Sequence, residues 1–213
     1  MKKLREQSPS EEIVNAILHG IGAGLSIAAL VVLIIFANIY GDTWHIVSFS
    51  IYGATLIILY LASTVYHSLP KGKWKNVLHV IDHLSIFLLI AGTYTPITLT
   101  AMRGPWGWSI FGVVWGIAFL GIILKVFWMD KLKFLSVGLY VIMGWIIVIA
   151  IKPLLDSLET ISLIFLLAGG LSYSVGIIFY IWRRLKYSHG IWHLFVLAGS
   201  ICHFFTVFYL LPE

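Results

Sequence analysis

The sequence predicts an all-α integral membrane bundle of seven transmembrane helices. Of its 213 residues, 60% are hydrophobic and only 11% are charged, whereas an average soluble domain has about 25% charged residues. Apolar segments recur along the whole chain, and each is close to the roughly 20 residues that a helix needs to cross about 30 Å of hydrocarbon. The lipid bilayer therefore replaces a conventional buried core, and we expect residues 1–213 to form a single domain.

Caps and helix breakers place the boundaries of the spans. The segment Ser8–Glu11 matches a capping box with proline at the first helical position, so the first span starts there. Pro70 and Gly72 end the second span, and Pro96 predicts a kink near the far end of the third. The seven expected spans run from about Ser8 to Ile39, Trp44 to Ser68, Asn76 to Ala101, Gly107 to Trp128, Phe134 to Ile151, Ile161 to Trp182, and Ile191 to Leu211.

The distribution of basic residues predicts the orientation. With these spans, twelve of the 14 Lys and Arg residues fall on one side of the membrane, and short loops rich in these residues stay in the cytoplasm. We therefore expect a multi-pass protein of the cell membrane with a cytoplasmic N-terminus, a short cytoplasmic tail over residues 1–8, and an extracellular C-terminus. The twelve are Lys2, Lys3, Arg5, Lys71, Lys73, Lys75, Lys125, Lys131, Lys133, Arg183, Arg184 and Lys186, and the other two are Arg103 and Lys152.

The same distribution argues against nucleic acid as a partner. The net charge is +5, but the basic residues come in small groups between hydrophobic segments, whereas a nucleic-acid-binding protein carries them in one patch or stripe. The N-terminal segment also lacks the short apolar region and cleavage site of a signal peptide. Membrane topology is the better explanation of the positive charge.

The predicted topology brings ionisable residues from distant parts of the sequence to the cytoplasmic helix ends. His67 ends the second span, Asp82 lies early in the third, and His189 and His193 begin the seventh. Ionisable groups at membrane depth are costly unless they pair or bind a cation, so a shared metal ion accounts for all four. Because Cys202 is the single cysteine, the ligands must be nitrogen and oxygen atoms.

The spacing of these residues fits zinc. His189 and His193 are four residues apart and share one helix face, and His67 would add a third imidazole, which leaves the open fourth position of a catalytic zinc site. Asp82 could orient or deprotonate a water molecule there. Ser63, one turn from His67 on the same face, could add a hydrogen bond. The predicted catalytic residues are therefore Asp82 and Ser63.

Other histidines compete with this interpretation. His79 and His83 form a second pair four residues apart, and spacing alone leaves them as rival ligands. His203 lies about 15 Å further along its helix than His193, at about 1.5 Å per residue, so it cannot share the same ion and is expected to be a hydrogen-bonded core residue. His45 falls on the outer side and is expected at the membrane interface.

A polar stripe marks the cytoplasmic third of the first helix. Glu12, Asn15 and His19 are spaced so that they share one face. We interpret this stripe as a set of interhelical hydrogen bonds, because polar side chains inside membrane bundles commonly bond across helices.

These motifs together resemble the hemolysin III family, within the larger group of progestin and adipoQ receptors, and more distantly the alkaline ceramidases. The resemblance covers nearly the whole chain and implies a zinc ion near the cytoplasmic side, held by His67, His189 and His193. It also implies that Asp82 contacts zinc through water and that Ser63 is the motif serine. This set is thereby favoured over the rival histidine pair. The resemblance is carried by Glu12-x-x-Asn15-x-x-x-His19, Ser63-x-x-x-His67, Asp82 with Gly92–Pro96, and Ser188–His193 leading to His203.

Three functions are compatible with such a site. The first is a zinc-dependent hydrolase acting on a lipid-like amide, with membrane lipid as the substrate. The second is a membrane-lytic or pore-forming protein, as the name of the resembling family implies, although polarity here concentrates at the inner helix ends. The third is a sensor of membrane state in which zinc is structural. Four protein ligands would indicate structural zinc, whereas an exchangeable water would indicate a catalytic ion.

Overall fold

The structure, a computed structural model, describes residues 7–128, 133–182 and 184–212, and these residues form helices joined by short connections, with no strand among them. Seven stretches are long and apolar enough to cross a membrane, which confirms the predicted fold class. The helices are α1 Pro9–Tyr40, α2 Thr43–Ser68, α3 Lys73–Leu99, α4 Pro105–Trp128, α5 Lys133–Trp145, α6 Ile151–Ser157, α7 Thr160–Ile181 and α8 Ser188–Phe208, with a 3₁₀ segment Ile146–Ala150 between α5 and α6.

The first helix begins as its sequence predicts. The Ser8 hydroxyl accepts a hydrogen bond from the Glu11 amide at 3.4 Å, and the Ser8 amide donates to Glu11 Oε2 at 2.9 Å. Pro9 occupies the first helical position, where its missing amide proton costs no hydrogen bond. In the third span, α3 continues through Pro96, and the kink expected there stays a prediction.

The fifth span is longer than predicted. The sequence-based boundary at Ile151 was wrong, because α5 passes through the 3₁₀ segment into α6. Pro153 lies in the first turn of α6, where no intrahelical amide donor is needed. At the junction the Tyr94 hydroxyl donates to the Gly144 carbonyl at 3.0 Å and accepts from the Ile147 amide at 3.2 Å. A side chain of α3 thus satisfies backbone groups at the break.

The last helix starts earlier than predicted, at Ser188 instead of Ile191. The residue before it, Tyr187, has a left-handed backbone with φ of 59° and provides no side-chain cap. Instead, its amide donates to Glu11 Oε1 at 2.7 Å. The start of α8 is therefore stabilised by the first turn of α1, a long-range contact that local sequence patterns do not reveal.

Packing brings the last helix back to the first. Each of α1 to α4 packs on the next helix, α7 packs on α8, and α8 contacts both α1 and α3. A buried apolar cluster joins α1, α2 and α8, and a second one joins α3, α4 and the fifth span. A methyl group at Gly22 would overlap the ring of Tyr60, so glycine is needed for α1 to lie this close to α2.

The outward faces of the helices are apolar. Leu120, Phe127 and Ile149 are 62%, 71% and 73% exposed, as expected for side chains that face lipid. The amino-terminal ends of α1, α3 and α8 meet the carboxyl-terminal end of α2, and the charge count assigns this end to the cytoplasm. Five of the basic residues in that count lie outside the described residues, namely Lys2, Lys3, Arg5, Lys131 and Arg183. The sidedness stays a prediction.

Candidate metal centre

Three histidines from α2 and α8 converge at the charged end of the bundle. His67 occupies the last turn of α2, and His189 and His193 occupy the first two turns of α8. One ring nitrogen from each lies within 4.8 Å of the others. The ring centroids are 5.1 Å apart for His67 and His189, 5.0 Å for His67 and His193, and 4.5 Å for the α8 pair. The prediction that these residues meet is confirmed, whereas their role as ligands stays a prediction.

The environment of the three rings suits metal ligation. His67 and His193 are 3% and 2% exposed, and His189 is partly buried. Among the described residues His67 Nε2 has no hydrogen-bond partner, and an unsatisfied buried polar atom is costly. Tetrahedral zinc with nitrogen ligands at about 2.0–2.1 Å spaces those nitrogens about 3.4 Å apart. Small side-chain rotations would bring the three nitrogens to that spacing, so the donor set fits zinc.

A small cavity of about 30 Å³ adjoins two of the three histidines, His189 and His193. His189, His193, Asp82 and Ser63 all line it, so α3 and α2 supply the oxygen groups that the sequence placed here. About 10–15 Å³ of such volume is enough for one water molecule. The cavity therefore has room for water beside the histidines, as an open coordination position requires.

The two predicted catalytic side chains are both shielded from bulk solvent. The Asp82 side chain is 14% exposed, and Ser63 is 1% exposed. The Ser63 hydroxyl has no hydrogen bond of standard geometry among the described residues, although the Asp82 carboxyl group is its polar neighbour. A water molecule or substrate in the small cavity would lie beside both side chains, because both line it.

The rival histidine pair makes other contacts. His83 donates from Nδ1 to the His79 carbonyl at 2.8 Å, and its Nε2 lies 3.3 Å from the Tyr180 hydroxyl. Both ring nitrogens of His83 are therefore engaged. His79 packs against His83 and Tyr66 with centroid distances of 4.4 and 5.2 Å. Within the described ranges, the one group of three histidines with ligand-like spacing consists of His67, His189 and His193.

The polar stripe of α1 surrounds the candidate ligands. His67 Nδ1 lies 2.7 Å from Glu12 Oε2, His193 Nδ1 donates to the Asn15 carbonyl at 3.4 Å, and the His19 ring stacks on His193 at 3.5 Å. The interhelical hydrogen bonding expected of the stripe is confirmed for the side chain of Glu12. The Asn15 side chain instead donates to Gln7 at 2.8 Å, and neither ring nitrogen of His19 has a hydrogen-bond partner among the described residues. The sequence did not reveal that the stripe contacts the candidate ligands themselves, although the common membrane depth of the stripe and these histidines was a usable signal.

The remaining two histidines lie away from this centre. His203 Nε2 donates to the Leu166 carbonyl at 3.3 Å, which confirms the expected core hydrogen bond. His45 lies in the first turn of α2, at the opposite end from His67, with its Nδ1 2.7 Å from Asp42 Oδ1. Neither is a candidate ligand.

A much larger cavity of about 310 Å³ lies next to the small one. It runs between α3, the fifth span, α7 and α8, and its lining is mostly apolar side chains. Five residues line both cavities, which makes them neighbours: Leu59, Ile86, Tyr180, Trp192 and Val196. An apolar cavity with a few polar groups at one end is the usual form of a small-molecule site.

The comparison with known families decides the membership of the chain. The haemolysin-III-related family matches residues 7–204. The chain belongs to this family. It is 50% identical to "Hemolysin-3 homolog" of Bacillus subtilis over 93% of both chains, and 49% identical to "Hemolysin-3" of Bacillus cereus over 97% of this chain and 94% of that one.

A more distant relative is human. The chain is 28% identical to "Monocyte to macrophage differentiation factor" of Homo sapiens over 92% of this chain and 83% of the relative. No solved structure matches the chain. Family membership and seven apolar helices together make this a multi-pass membrane protein of the haemolysin-III-related family.

Proposed function

We propose that this haemolysin-III-related protein is a zinc-dependent hydrolase of a lipid-like amide in the cell membrane. The observation that carries the proposal is the convergence of three histidine nitrogens within 4.8 Å beside a cavity that Asp82 and Ser63 line. Three imidazoles with space for water are the donor set of catalytic zinc sites, whereas structural sites fill all four positions with protein ligands.

The residues divide into holding and reacting groups. His67, His189 and His193 would hold the ion, which supplies a water molecule of lowered pKa and polarises a carbonyl group. Asp82 is placed to accept the proton of a water molecule in the small cavity and to return it to the leaving amine. The Ser63 hydroxyl lines the same cavity, where it would donate a hydrogen bond that orients the reacting groups.

The neighbouring apolar cavity supports a lipid substrate. Its lining is continuous with the small cavity through the five shared residues, so an acyl chain could lie there while its polar end reaches Asp82. The acyl chain of a membrane lipid is already in hydrocarbon, so van der Waals packing against this lining, and not transfer from water, would hold it there. Water is excluded along the chain, and the amide is the part of the substrate that meets the polar groups.

The test is hydrolysis of fluorogenic acyl amides by purified, zinc-loaded protein. We expect Asp82→Asn to lower kcat by about 10²–10⁴, the usual contribution of a general base, while zinc stays bound. Asp156→Asn is the matched control, because this exposed carboxylate lies on α6, and it should keep wild-type activity. Full activity of Asp82→Asn would contradict the proposed role.

The name of the two Bacillus relatives motivates a parallel measurement on the same preparations. Release of a trapped dye from liposomes reports lysis. We expect no more release with the protein than with the same amount of detergent alone. If the zinc-free protein still releases dye and the zinc-loaded protein does not hydrolyse amides, the proposed hydrolase is wrong and the protein is membrane-lytic.

A further inference from the structure

An interhelical hydrogen bond sets the orientation of one candidate ligand. His67 Nδ1 lies 2.7 Å from Glu12 Oε2, with 55 residues of sequence between them. The His67 side chain is 1% exposed, so this contact is sheltered from competing water. Glu12 belongs to α1, which carries none of the three histidines.

The direction of this bond follows from the chemistry of its two groups. An ionised carboxylate has only acceptor sites, so His67 Nδ1–H donates to Glu12. The lone pair of the neutral ring is then on Nε2, which is buried and has no partner among the described residues. The bond thereby selects the tautomer whose free nitrogen can ligate a metal.

A lysine compensates the charge of this carboxylate. Lys75 Nζ lies 3.1 Å from Glu12 Oε1 and also donates to the Leu69 carbonyl at 2.9 Å. A partly buried carboxylate with a 23% exposed side chain is tolerated because it is paired on both oxygens. Glu12 is therefore held between α2 and α3 in one orientation.

We propose that Glu12 is the positioning residue of the metal centre, which orients His67 and fixes its tautomer for ligation. The inference rests on the metal centre of the proposed function and adds a residue outside the predicted ligand and catalytic set. Metal-ligating histidines commonly donate their second ring N–H to a carboxylate, and loss of such a partner weakens metal binding about 10–100-fold.

The experiment measures zinc affinity of the purified full chain by competition with a chromogenic chelator. Glu12→Ala should bind zinc about 10–100-fold more weakly than wild type. Glu12→Gln keeps an oxygen that can accept the same proton, and it should recover part of that loss. Glu159→Ala removes an exposed carboxylate just before α7 and is the matched control. Its Kd for zinc should stay within about twofold of the wild-type value, which corresponds to roughly 0.4 kcal/mol.

A second readout separates positioning from folding. The metal-free form of Glu12→Ala should keep its melting temperature close to that of wild type, and the ligand-field spectrum after Co²⁺ loading should change in shape as well as intensity. The inference is wrong if Glu12→Ala binds zinc as tightly as wild type. It is also wrong if the metal-free variant is unfolded at the assay temperature, because Glu12 would then serve the fold. Wild-type protein that binds no zinc would overturn the metal centre itself.

Discussion

Removal of His67 is the perturbation that most sharply separates the proposed ligand set from its rival. Structural zinc sites with four protein ligands bind with about 10–16 kcal/mol, so one ligand contributes about 2.5–4 kcal/mol. Because His67 is one of three converging histidines, His67→Ala should weaken zinc binding about 10²–10³-fold. Both ring nitrogens of His83 are engaged in hydrogen bonds, so this histidine of the rival pair has no free lone pair with which to replace His67 as a ligand.

The assay is the zinc-dependent rise in melting temperature, followed at one fixed free-zinc concentration. At 1,000 times the wild-type Kd, zinc stabilises the folded state by about 4 kcal/mol, and after a 100-fold loss of affinity by about 1.4 kcal/mol. His45→Ala, at the opposite end of the same helix, is the matched control and should keep the full zinc response. The reasoning is refuted if His67→Ala keeps it too, or if His83→Ala loses as much.

Three further predictions address the cavities and the fold. Ser63→Ala should lower the rate of amide hydrolysis about tenfold, the effect of one hydrogen bond of about 1.4 kcal/mol, with unchanged zinc affinity in the chelator assay. Gly170→Leu should fill the large cavity, where an added Cβ meets only Trp145 at 4.0 Å, and it should raise KM for long-chain amides while short-chain amides are hydrolysed as before. Asp42→Ala removes the cap of α2 and should lower the melting temperature by about 2–4 °C at neutral pH. Partial burial raises the pKa of Asp42, but hydrogen bonds from His45 and Trp44 outweigh this and hold it below its usual value. The stabilisation by Asp42 is therefore complete above about pH 4 and is lost as the pH falls through the folded-state pKa, so the two melting curves should converge in acid.

Much of the fold could be predicted from the sequence because bilayer thickness imposes its own length on each span. The cap at Ser8 and the apolar periodicity gave boundaries within a few residues for most helices. The errors occurred where a distant side chain stabilises a helix end or a break. Tyr94 bridges the break in the fifth span, and Glu11 holds the amide of Tyr187 before α8. Such contacts join residues that are far apart in sequence, so they cannot be predicted from local sequence patterns.

The candidate site could be predicted in part because the topology gives each residue a membrane depth. The predicted membrane depth grouped His67 with His189 and His193, but it could not exclude His83 as a ligand. His83 lines the same small cavity as His189 and His193. The structure separates them through the hydrogen bonds that occupy the His83 ring. Glu12 was missed as a partner of His67 because a stripe of polar residues on one helix does not reveal which neighbouring helix it faces.

X-ray absorption at the zinc edge of the purified wild-type protein tests the central claim most directly. The signal reports the number of imidazole ligands and the presence of a light oxygen atom in the first coordination shell. We expect three imidazoles and one oxygen of a water molecule, with zinc–nitrogen distances of about 2.0–2.1 Å. A shell filled by four protein ligands would make the zinc structural and contradict hydrolysis, and protein that retains no stoichiometric zinc would contradict the metal centre.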